Sequence, residues 1–366
     1  MKKYSGSREL VPNEFVALDV HKRYSLMERE DRDSGKVHRR RIDHQAGAIK
    51  EALKGIAPGT AVAVEATGNW YWLIDEIEQR GLQPLLVHPY KAKMMMAQVN
   101  KTDKLDVHGL NRLQRTGTLP TVWIPPGEIR DLREVTRMRM ALSAQRTQIK
   151  NRIHAALSKY ALQIEASDIF GRKARQQLDA MVLQLPQQTA WVVQQELLFL
   201  DSVQHLLKAH EKRIHELLEV TSEMQRLTSL PGIGALLAAV LAFEIGDVKR
   251  FGRAEQLASY AGTTPRVYAS GGRVRHGQLR SDVNRYLKWG FSEAANSVAV
   301  NHKRFPQRHV SKLYWRLREK KGHAKAIGAV ARHLAEAAYY VLSREEEYKE
   351  RGAVAEVQKT IAVAPH

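Results

Sequence analysis

The chain has 366 residues, in which 58 Lys and Arg stand against 39 Asp and Glu, so that its formal net charge is +19. This length suits two or three domains, and the large positive excess favours a nucleic-acid partner over the balanced surface of an ordinary cytosolic enzyme. The lack of cysteine excludes disulfides and thiolate metal sites, and the longest apolar run, residues 236–243, is far shorter than the roughly 20 residues of a membrane span, so we expect a cytoplasmic protein without a membrane partner.

Residues 15–124 alternate apolar runs of strand length with helix-like segments, the pattern of an α/β layer with a mixed sheet. The pattern predicts strands at 15–20, 60–66 and 82–87 and helices at 45–54, 69–80 and 102–116. The polar, alternating stretch 22–42 predicts a hairpin of outer strands around Ser34-Gly35.

Four acidic residues of this region fall at positions that suggest a metal site. Asp19 and Glu65 each end an apolar run, which predicts two buried strands whose last side chains emerge at an edge of the sheet. Asp103 and Asp106 are three residues apart on a predicted helix, so they share one face, and Thr102 is its predicted N-cap. Carboxylates held this close repel one another, and a hard divalent cation relieves the repulsion, which favours Mg²⁺ or Mn²⁺.

Two such ions held by shared acids can polarise a phosphodiester and stabilise both its attacking and its leaving oxygen. Lys101, next to the acids in sequence, would add positive charge for a phosphate. The alternative for any single acid is a solvated strand end or a helix cap, and it is the combination of all four that favours the metal site.

Residues 123–127, Trp-Ile-Pro-Pro-Gly, break this pattern, because two prolines and a glycine continue neither a helix nor a central strand. From 128 to about 225 the sequence is predicted to be helical, and in its second half apolar residues recur at alternating spacings of three and four, typical of a coiled coil. The seam comprises Leu200, Val203, Leu207, His210, Ile214, Leu217, Thr221 and Met224. The helical segment before it could be its antiparallel partner, or the partner could come from another subunit.

The motif Leu230-Pro-Gly-Ile-Gly234 opens a third unit. A turn of this kind before an apolar helix leaves backbone N–H groups that can hold a phosphate, although a plain tight turn between helices has the same sequence. After it the sequence predicts a helix of small residues at 254–261, an irregular stretch rich in Gly and Arg at 262–280, and three helices at 282–299, 308–320 and 323–344. The last residues, 347–366, are predicted to form a loose tail.

The most basic segment of this third unit carries a serine. Tyr268-Ala-Ser-Gly-Gly-Arg-Val-Arg275 sets Ser270 among two glycines and the arginines Arg273 and Arg275, with Arg266 just before them. Glycines allow a backbone to approach a phosphate and arginines donate to its oxygens, so Ser270 could be a nucleophile at phosphorus, or could only donate a hydrogen bond within a phosphate-binding loop. The one-sided basic stretches 266–288 and 302–325 favour phosphate contact in either case.

Taken in order, these motifs resemble a known family. The motifs are Leu18-Asp-Val-His-Lys22, Val64-Glu-Ala-Thr-Gly68, Asn100-Lys-Thr-Asp-Lys-Leu-Asp106, Leu230-Pro-Gly-Ile-Gly234 and Ala261-Gly-Thr-Thr-Pro-Arg-Val-Tyr-Ala-Ser-Gly271. They resemble the signatures of the DEDD transposases of the IS110 family of insertion sequences, over about residues 15–345. The ordered combination is much more specific than any single motif.

The resemblance implies a RuvC-like domain with an RNase H-like sheet at 1–124, a coiled-coil arm at 128–225 and a mostly helical transposase domain at 226–346. It also implies that Asp19, Glu65, Asp103 and Asp106 are the four acids that bind magnesium, and that Ser270 is the nucleophilic serine of a recombinase that cuts and rejoins DNA through a transient phosphoserine link. A structured bridge RNA that pairs donor with target DNA, and a homo-oligomer, dimer or tetramer, are the further implied partners.

The chain departs from the family in one place. Many members carry Ser-Lys-x-Gly-Asn after the serine loop, where this chain has Arg280-Ser-Asp-Val-Asn284. The missing lysine and glycine remove the basis for transferring phosphate contacts to residues 280–283.

The leading hypothesis is therefore a transposase in which the acidic site and Ser270 act on one scissile phosphate, with Lys101, Arg266, Arg273 and Arg275 in contact with nucleic acid. A second hypothesis is a metal-dependent junction endonuclease that uses water as the nucleophile. A third is a nucleic-acid-binding protein without catalytic activity, whose acids are structural.

Overall fold

The structure is a computed structural model, and it describes residues 13–96, 102–166, 168–218, 221–280 and 282–350. The chain divides into two compact units, an N-terminal unit up to Ile124 and a C-terminal unit from Pro125. Each unit has its own hydrophobic core, and each is described by itself below.

The N-terminal unit is built on a mixed five-stranded sheet, as the sequence pattern predicts. Its strands are β1 (Glu14–Val20), β2 (Tyr24–Asp31), β3 (Val37–Asp43), β4 (Ala61–Glu65) and β5 (Gln83–Val87), and their order across the sheet is β3-β2-β1-β4-β5. The first three strands form an antiparallel meander, whereas β4 and β5 run parallel to β1. The strands that carry Asp19 and Glu65 at or near their C-terminal ends are therefore neighbours that run in the same direction.

Helices cover both faces of this sheet. They are α1 (Ala48–Ala52), α2 (Trp70–Glu78), α3 (Pro89–Met96) and α4 (Asp103–Arg115). Along β1, Val16 and Leu18 pack into the core that contains α1 and α2, and Ala17, on the opposite face, packs against α3 and α4. Because side chains alternate along a strand, Asp19 belongs to the same face as Ala17, and it faces the layer that carries Asp103 and Asp106.

The C-terminal unit begins with an arm of two long antiparallel helices. The two long helices are α5 (Gly127–Ser158) and α7 (Gln187–Leu218), and the shorter α6 (Arg172–Val182) lies between them in sequence. Ion pairs join Arg139 to Glu211 near one end and Arg152 to Glu196 nearer the other, which fixes the antiparallel direction of α5 and α7. The helical segment before the predicted seam is thus the partner, within the chain, of the seam residues on α7, one of the two alternatives that the sequence left open. The seam was predicted too long, because Thr221 and Met224 lie beyond the end of α7.

The regular elements in the rest of the C-terminal unit, as far as the structure describes it, are helices and one hairpin. The elements are α8 (Ser222–Leu227), α9 (Ala235–Ile245), α10 (Ala254–Tyr260), β6 (Pro265–Ser270), β7 (Arg273–Leu279), α11 (Arg285–Asn301), α12 (His309–Lys321) and α13 (His323–Ser343). Helix α9 is apolar on nearly all sides and lies in the centre of the core, with α7, α8 and α11 among its neighbours. Among the described helices, none combines the length and the apolar character that a membrane crossing requires.

The hairpin corrects one prediction, because residues 262–280 are not irregular. Strands β6 and β7 pair antiparallel around Gly271-Gly272, and both glycines have positive φ, 55° and 75°. Two consecutive residues of positive φ form the tight turn that suits the twist of a hairpin, and glycine adopts them without strain. The high content of Gly and Arg suggested a loop, whereas the Gly-Gly pair between alternating residues was the signal for a hairpin.

The Pro-Gly-x-Gly motif forms the turn between α8 and α9. Gly232 has a φ of +80°, and a Cβ atom built on it would lie 2.3 Å from the backbone oxygen of Ala294 in α11. Gly234 has room around it, and its backbone carbonyl accepts the N–H of Ala238 in the first turn of α9. The first glycine is thus required by the close approach of α11, which explains this part of the motif by packing alone.

Candidate metal centre and basic hairpin

The ends of β1 and β4 bring the first two predicted acids together. Leu18 pairs with Val64 in the parallel register, so the next residues, Asp19 and Glu65, lie side by side at the edge of the sheet. Asp19 is 4% exposed and Glu65 is half-buried. Their side chains are within hydrogen-bonding reach of each other. Two carboxyl groups at this separation repel when both are ionised unless a proton or a cation lies between them.

Helix α4 contributes the other two acids from its first turn. Thr102 is the N-cap, and its side-chain oxygen accepts the backbone N–H of Leu105 at 3.3 Å, as expected from the sequence. Asp103 and Asp106 follow directly, where the partial positive charge of the helix N-terminus stabilises carboxylates. Asp106 lines the same cavity as Asp19 and Glu65, and Asp103 lies 3.3 Å from the His21 imidazole that also contacts Asp19.

His21 is the residue of this cluster that the sequence analysis did not select. Its Nε2 lies 3.2 Å from Asp19 Oδ2 and 3.3 Å from Asp103 Oδ2. The signal was present in the motif Asp-x-His, since two residues that flank one position of an extended strand project to the same face. A histidine two residues after a candidate ligand is therefore close enough to join the same site.

Tyr24 holds Asp103 in place from the neighbouring strand. Its hydroxyl donates to Asp103 Oδ2 at 2.9 Å, and this hydrogen bond to a carboxylate raises the pKa of Tyr24 above its usual value. The guanidinium of Arg41 lies 3.9 Å from the centre of the Tyr24 ring, and the centroids of the His21 and Tyr24 rings are 4.5 Å apart. The position of Asp103 is thus fixed by contacts with Tyr24 and His21 as well as by its own helix.

The electrostatics of Asp19 favour a bound cation. Burial raises the pKa of its carboxyl group, His21 and the contact with Glu65 lower it, and the charges of Asp106 and Asp103 raise it further, so that the pKa lies above its usual value. Asp19 Oδ2 and His21 Nε2 are both buried, and neither makes a hydrogen bond to any residue that the structure describes. Carboxylate oxygens are the preferred ligands of Mg²⁺ and Mn²⁺, and a buried oxygen and a buried nitrogen without hydrogen-bond partners are free to bind such an ion.

A cavity of about 470 Å³ opens next to these acids. Besides Asp19, Glu65 and Asp106, its walls include Tyr90 and Lys93 of α3, a helix that the sequence analysis did not predict. The Lys93 ammonium adds a positive charge beside the acids, of the kind that a phosphate requires. Lys101, the residue expected in this role, lies outside the described residues.

A second group of acids in the N-terminal unit is satisfied by protein cations. Glu28 is fully buried, and its carboxylate contacts Arg39 at 2.7 Å and His108 at 3.0 Å. Glu30, two residues along β2, pairs with Arg115 at 2.6 Å. Two guanidinium groups already balance these two carboxylates, so the group acts as an ion-pair network that joins β2 to β3 and α4.

In the C-terminal unit, Ser270 is the last residue of β6 and lies at the tip of the hairpin. It is exposed, and it directly opposes Arg273, just as Tyr268 opposes Arg275 one step further from the tip. Opposed residues of a hairpin point to the same face, so Ser270, Tyr268, Arg273 and Arg275 form one polar face of the ribbon. The structure thus brings the serine together with two of its three predicted arginines.

Arg266, the third predicted arginine, is also exposed on β6, close to a change of register between Pro265 and Val267. The other face of the hairpin carries exposed apolar residues, including Val267 and Val274. Among the described residues, both faces of this ribbon are therefore open to solvent or to a ligand.

A buried acid anchors the base of the hairpin. Asn284 follows the hairpin and caps α11, where its Oδ1 accepts the backbone N–H groups of Tyr286 and Leu287, both at 3.0 Å. The Asn284 amide in turn donates to the carboxylate of Glu244 in α9 at 2.8 Å. Glu244 has no solvent exposure, and Arg137 of the arm grips its two oxygens at 2.7 and 3.1 Å.

The sequence that departs from the family signature has its own ion pair. Arg280 donates to Asp282 with two nitrogens, one of them at 3.1 Å, and this pair lowers the pKa of Asp282 to about 2. Arg280 is therefore paired with an acid of its own chain, which agrees with the expectation that residues 280–283 lack the phosphate contacts of the family signature.

The basic stretch after residue 302 combines cations with an exposed aromatic ring. Trp315 on α12 is partly exposed, stacks on the ring of His302 with a centroid distance of 5.5 Å, and has the Arg318 guanidinium 5.9 Å from its own ring. The exposed basic side chains of α12 and its flanks include Lys303, Arg304, Lys312, Arg316, Lys320, Lys321 and Lys325. Such a surface suits the phosphates and stacked bases of a nucleic acid.

Comparison with known proteins agrees with the motifs. Residues 16–162 match a family described as Transposase, the DEDD transposases of IS110, and residues 224–310 match the Transposase IS116/IS110/IS902 family. The two matches cover the acids and Ser270, and together they span more than half of the chain.

Similar proteins occur in several bacteria. A probable family 20 transposase of Pseudomonas aeruginosa is 24% identical over 77% of this chain and 83% of its own length. The transposase for insertion sequence element IS1111A of Coxiella burnetii is 24% identical over 79% of each chain. The pilin gene-inverting protein of Moraxella bovis is 25% identical over 79% of this chain and 81% of its own. The chain belongs to the IS110 family of insertion-sequence transposases, and it is a DNA transposase.

Proposed function

We propose that this transposase cuts and rejoins DNA through a transient phosphoserine link, with Ser270 as the nucleophile and a divalent metal centre at the four acids. The observation that carries the proposal is the convergence of Asp19, Glu65 and Asp106 on one cavity, with Asp103 next to them across His21. These residues come from two strands and a helix that are distant in sequence, and half-buried acids gathered around one buried acid repel one another unless a cation binds between them.

The architecture of the N-terminal unit supports a RuvC-like, RNase H-like domain. A mixed sheet of order β3-β2-β1-β4-β5, with acids at the ends of two adjacent parallel strands, is what the resemblance to the family implies. The long antiparallel pair of α5 and α7 likewise supports the coiled-coil arm.

Divalent ions, when bound, would neutralise charge on the phosphate oxygens and on the departing sugar oxygen. The acids would hold the ions, with Mg²⁺ or Mn²⁺ as the cofactor. Lys93 would draw the DNA backbone towards the cavity, and Tyr24 would keep Asp103 oriented through the hydrogen bond to its carboxylate.

In the cleavage step, the Oγ of Ser270 forms a bond to phosphorus while the bond from phosphorus to one sugar oxygen breaks. The serine proton passes to solvent, and the departing sugar oxygen takes up a proton. Arg273 and Arg275, on the same face of the hairpin as Ser270, would donate to the phosphate oxygens as negative charge builds on them. Because one phosphoester bond replaces another, a sugar hydroxyl can reverse the step on a new strand without an external energy source.

A homo-oligomer and a structured bridge RNA complete the proposal. One side of α7 exposes apolar residues at heptad spacing, including Trp191 and Leu198, with exposed fractions of 59% and 61%, and this row supports a contact between arms of two copies. The exposed cations of α12 and the ring of Trp315 support binding of RNA or DNA backbone.

The test is a cleavage reaction with cognate DNA, its RNA and Mg²⁺, stopped by denaturation. We expect protein covalently attached to a DNA end, no attachment with Ser270→Ala, and neither attachment nor cleavage with Asp19→Asn. Ser202→Ala, an exposed serine on α7, is the control and should behave as the wild type.

The same reaction separates the alternatives. Cleaved DNA without attached protein, unchanged in Ser270→Ala, would favour a metal-dependent endonuclease that uses water. Binding of DNA without cleavage, unaffected by Asp19→Asn, would favour a binding protein without catalytic activity.

A further inference from the structure

The His21 imidazole is placed like a metal ligand and is not among the four acids of the DEDD motif. Its Nε2 is 3.2 Å from one oxygen of Asp19 and 3.3 Å from one oxygen of Asp103. These three atoms belong to residues on two different elements, the end of β1 and the first turn of α4. They form a compact group of one nitrogen and two oxygens that could bind a single ion.

The distances fit neighbouring ligands of one ion. For an octahedral ion with ligands at roughly 2.1 Å, two adjacent ligand atoms are about 3.0 Å apart. The two observed separations, 3.2 and 3.3 Å, are within a few tenths of an ångström of that edge. The side chains would need only a small adjustment to surround an ion.

The angles argue against an ordinary ion pair between a protonated His21 and the two carboxylates. A ring N–H points along the same direction as the lone pair of an unprotonated ring nitrogen, so an imidazolium that paired with Asp19 or Asp103 would aim its hydrogen at one of them. His21 Nε2 makes no hydrogen bond to either oxygen, although both lie close. The nitrogen and the Asp19 oxygen lie side by side, as two ligands of a common ion do.

Burial supplies an independent observation. The Asp19 side chain is 6% exposed, and its Oδ2 makes no hydrogen bond to any described residue. A buried carboxylate oxygen without a partner carries a free-energy cost, which a bound cation removes. The oxygen faces His21, so the ion that satisfies it would also lie within reach of the imidazole.

We propose that His21 is a further protein ligand of the metal centre and binds the ion through Nε2 together with Asp19 and Asp103. This inference rests on the proposed function, because it adds a ligand to the same site. It requires the ring proton to reside on Nδ1. A nitrogen ligand shifts a site of oxygen ligands away from Mg²⁺ and towards transition ions, so the centre should prefer Mn²⁺ to Mg²⁺ more strongly than four carboxylates alone would.

Electron paramagnetic resonance of the full-length protein with Mn²⁺ tests the proposal without any need for activity. Electron spin-echo modulation detects a nitrogen nucleus bound to Mn²⁺, and we expect this ¹⁴N modulation in the wild type. In His21→Gln it should disappear, and Mn²⁺ should bind at least about tenfold more weakly, the scale of losses seen around metal sites. The preference for Mn²⁺ over Mg²⁺ should fall in the same variant.

Two controls secure the assignment. His88→Gln changes a half-buried histidine that directly follows β5 in the same sheet, and it should keep the ¹⁴N modulation. Labelling of the wild type with ¹⁵N-histidine should replace the ¹⁴N pattern by that of ¹⁵N, which identifies the nitrogen ligand as a histidine even if His21→Gln does not fold, and an unchanged ¹⁴N pattern would overturn the proposal.

Three other results of the Mn²⁺ experiment would contradict the proposal. Mn²⁺ bound without nitrogen modulation would overturn the role of His21 and leave the carboxylate centre intact. Modulation that survives in His21→Gln and disappears in His88→Gln would identify His88, and not His21, as the nitrogen ligand and would overturn the inference. Failure of the wild type to bind Mn²⁺ would overturn both this inference and the metal centre of the proposed function.

Discussion

Replacement of Glu244 by glutamine should destabilise the core of the C-terminal unit strongly, because it removes a charge shared by the buried Arg133 and the half-buried Arg137. Glu244 has no exposed surface, Arg137 donates to both of its oxygens, and Arg133, only 6% exposed, lies 3.6 Å away. Burial lowers the pKa of the Arg133 guanidinium, and the charge of Glu244 offsets part of that effect. Glutamine keeps the shape of the side chain and leaves these cations without their counter-charge.

The size of the loss follows from the burial. Removal of one partner from a buried ion pair costs about 3–5 kcal/mol, since the remaining charge stays in a poorly polarisable environment. The carbonyl oxygens of Phe243 and Glu244 still accept from Arg133, which places the expected loss at the lower end, about 3 kcal/mol. The control is Glu216→Gln, whose pair with Arg213 is exposed on both sides and should contribute less than about 1 kcal/mol.

Hydrogen exchange of the native protein, followed by mass spectrometry at increasing urea, measures this quantity for each element separately, which a chain of two units requires. In Glu244→Gln the free energy of opening should fall by about 3 kcal/mol in peptides from α9 and α11, with little change in peptides from β1 and β4. A change below about 1 kcal/mol in α9 and α11, or one equal to that of Glu216→Gln, would refute the claim that the charge of Glu244 holds this core together.

Three further predictions concern the turns and cations of the C-terminal unit. Gly232→Ala should lower the free energy of unfolding by more than about 1 kcal/mol, through positive φ and collision with a backbone oxygen, whereas Gly234→Ala should change it by less than that in the same urea titration. Because pairing with Arg280 lowers the pKa of Asp282 to about 2, this pair stabilises the fold above the unfolded pKa near 3.8 and loses its effect as the pH falls towards 2. The difference in unfolding free energy between wild type and Asp282→Asn, up to about 1 kcal/mol for so exposed a pair, should be constant from pH 7 to 5 and shrink below pH 4. A difference that grows as the pH falls would contradict this prediction. Arg275→Ala should reduce the slope of log affinity for DNA against log salt by about 1, as expected for one lost phosphate contact, and an unchanged slope would show that this arginine does not touch the backbone.

The parts of the fold that the sequence predicted are those with strong periodicity. The apolar runs that end in Asp19 and Glu65 are central parallel strands, and the meeting of these acids followed from strand ends sharing one edge of the sheet. The spacing of Asp103 and Asp106, with Thr102 before them, gave the helix, its cap and its acidic first turn. In each case the local signal, an apolar run or a helix cap, predicts the same element that the burial of its apolar side chains then stabilises.

The parts that were missed depend on contacts far apart in sequence or on a choice between two local signals. The motif Asp-x-His places His21 near Asp19, but its contact with Asp103 becomes visible only when α4 brings that residue to the end of β1. Residues 265–279 were assigned to a loop because Gly and Arg dominate their composition, although the alternation about Gly271-Gly272 indicates a hairpin. The buried carboxylate of Glu244 carries no signal at all in a nearly uniform apolar run, because its two arginines lie more than a hundred residues earlier.

The hairpin that ends in Ser270 is a ribbon of two strands with solvent on both sides, and an isolated ribbon of this kind is only marginally stable in water. A ligand that covers it would therefore increase its stability. A nucleic acid that lies along the face with Arg273 and Arg275 would order the ribbon when it binds, so part of the binding free energy would offset the cost of fixing the position of Ser270. A poorly matched strand would leave the hydroxyl misaligned, and fidelity would then arise from the weakness of the ribbon itself.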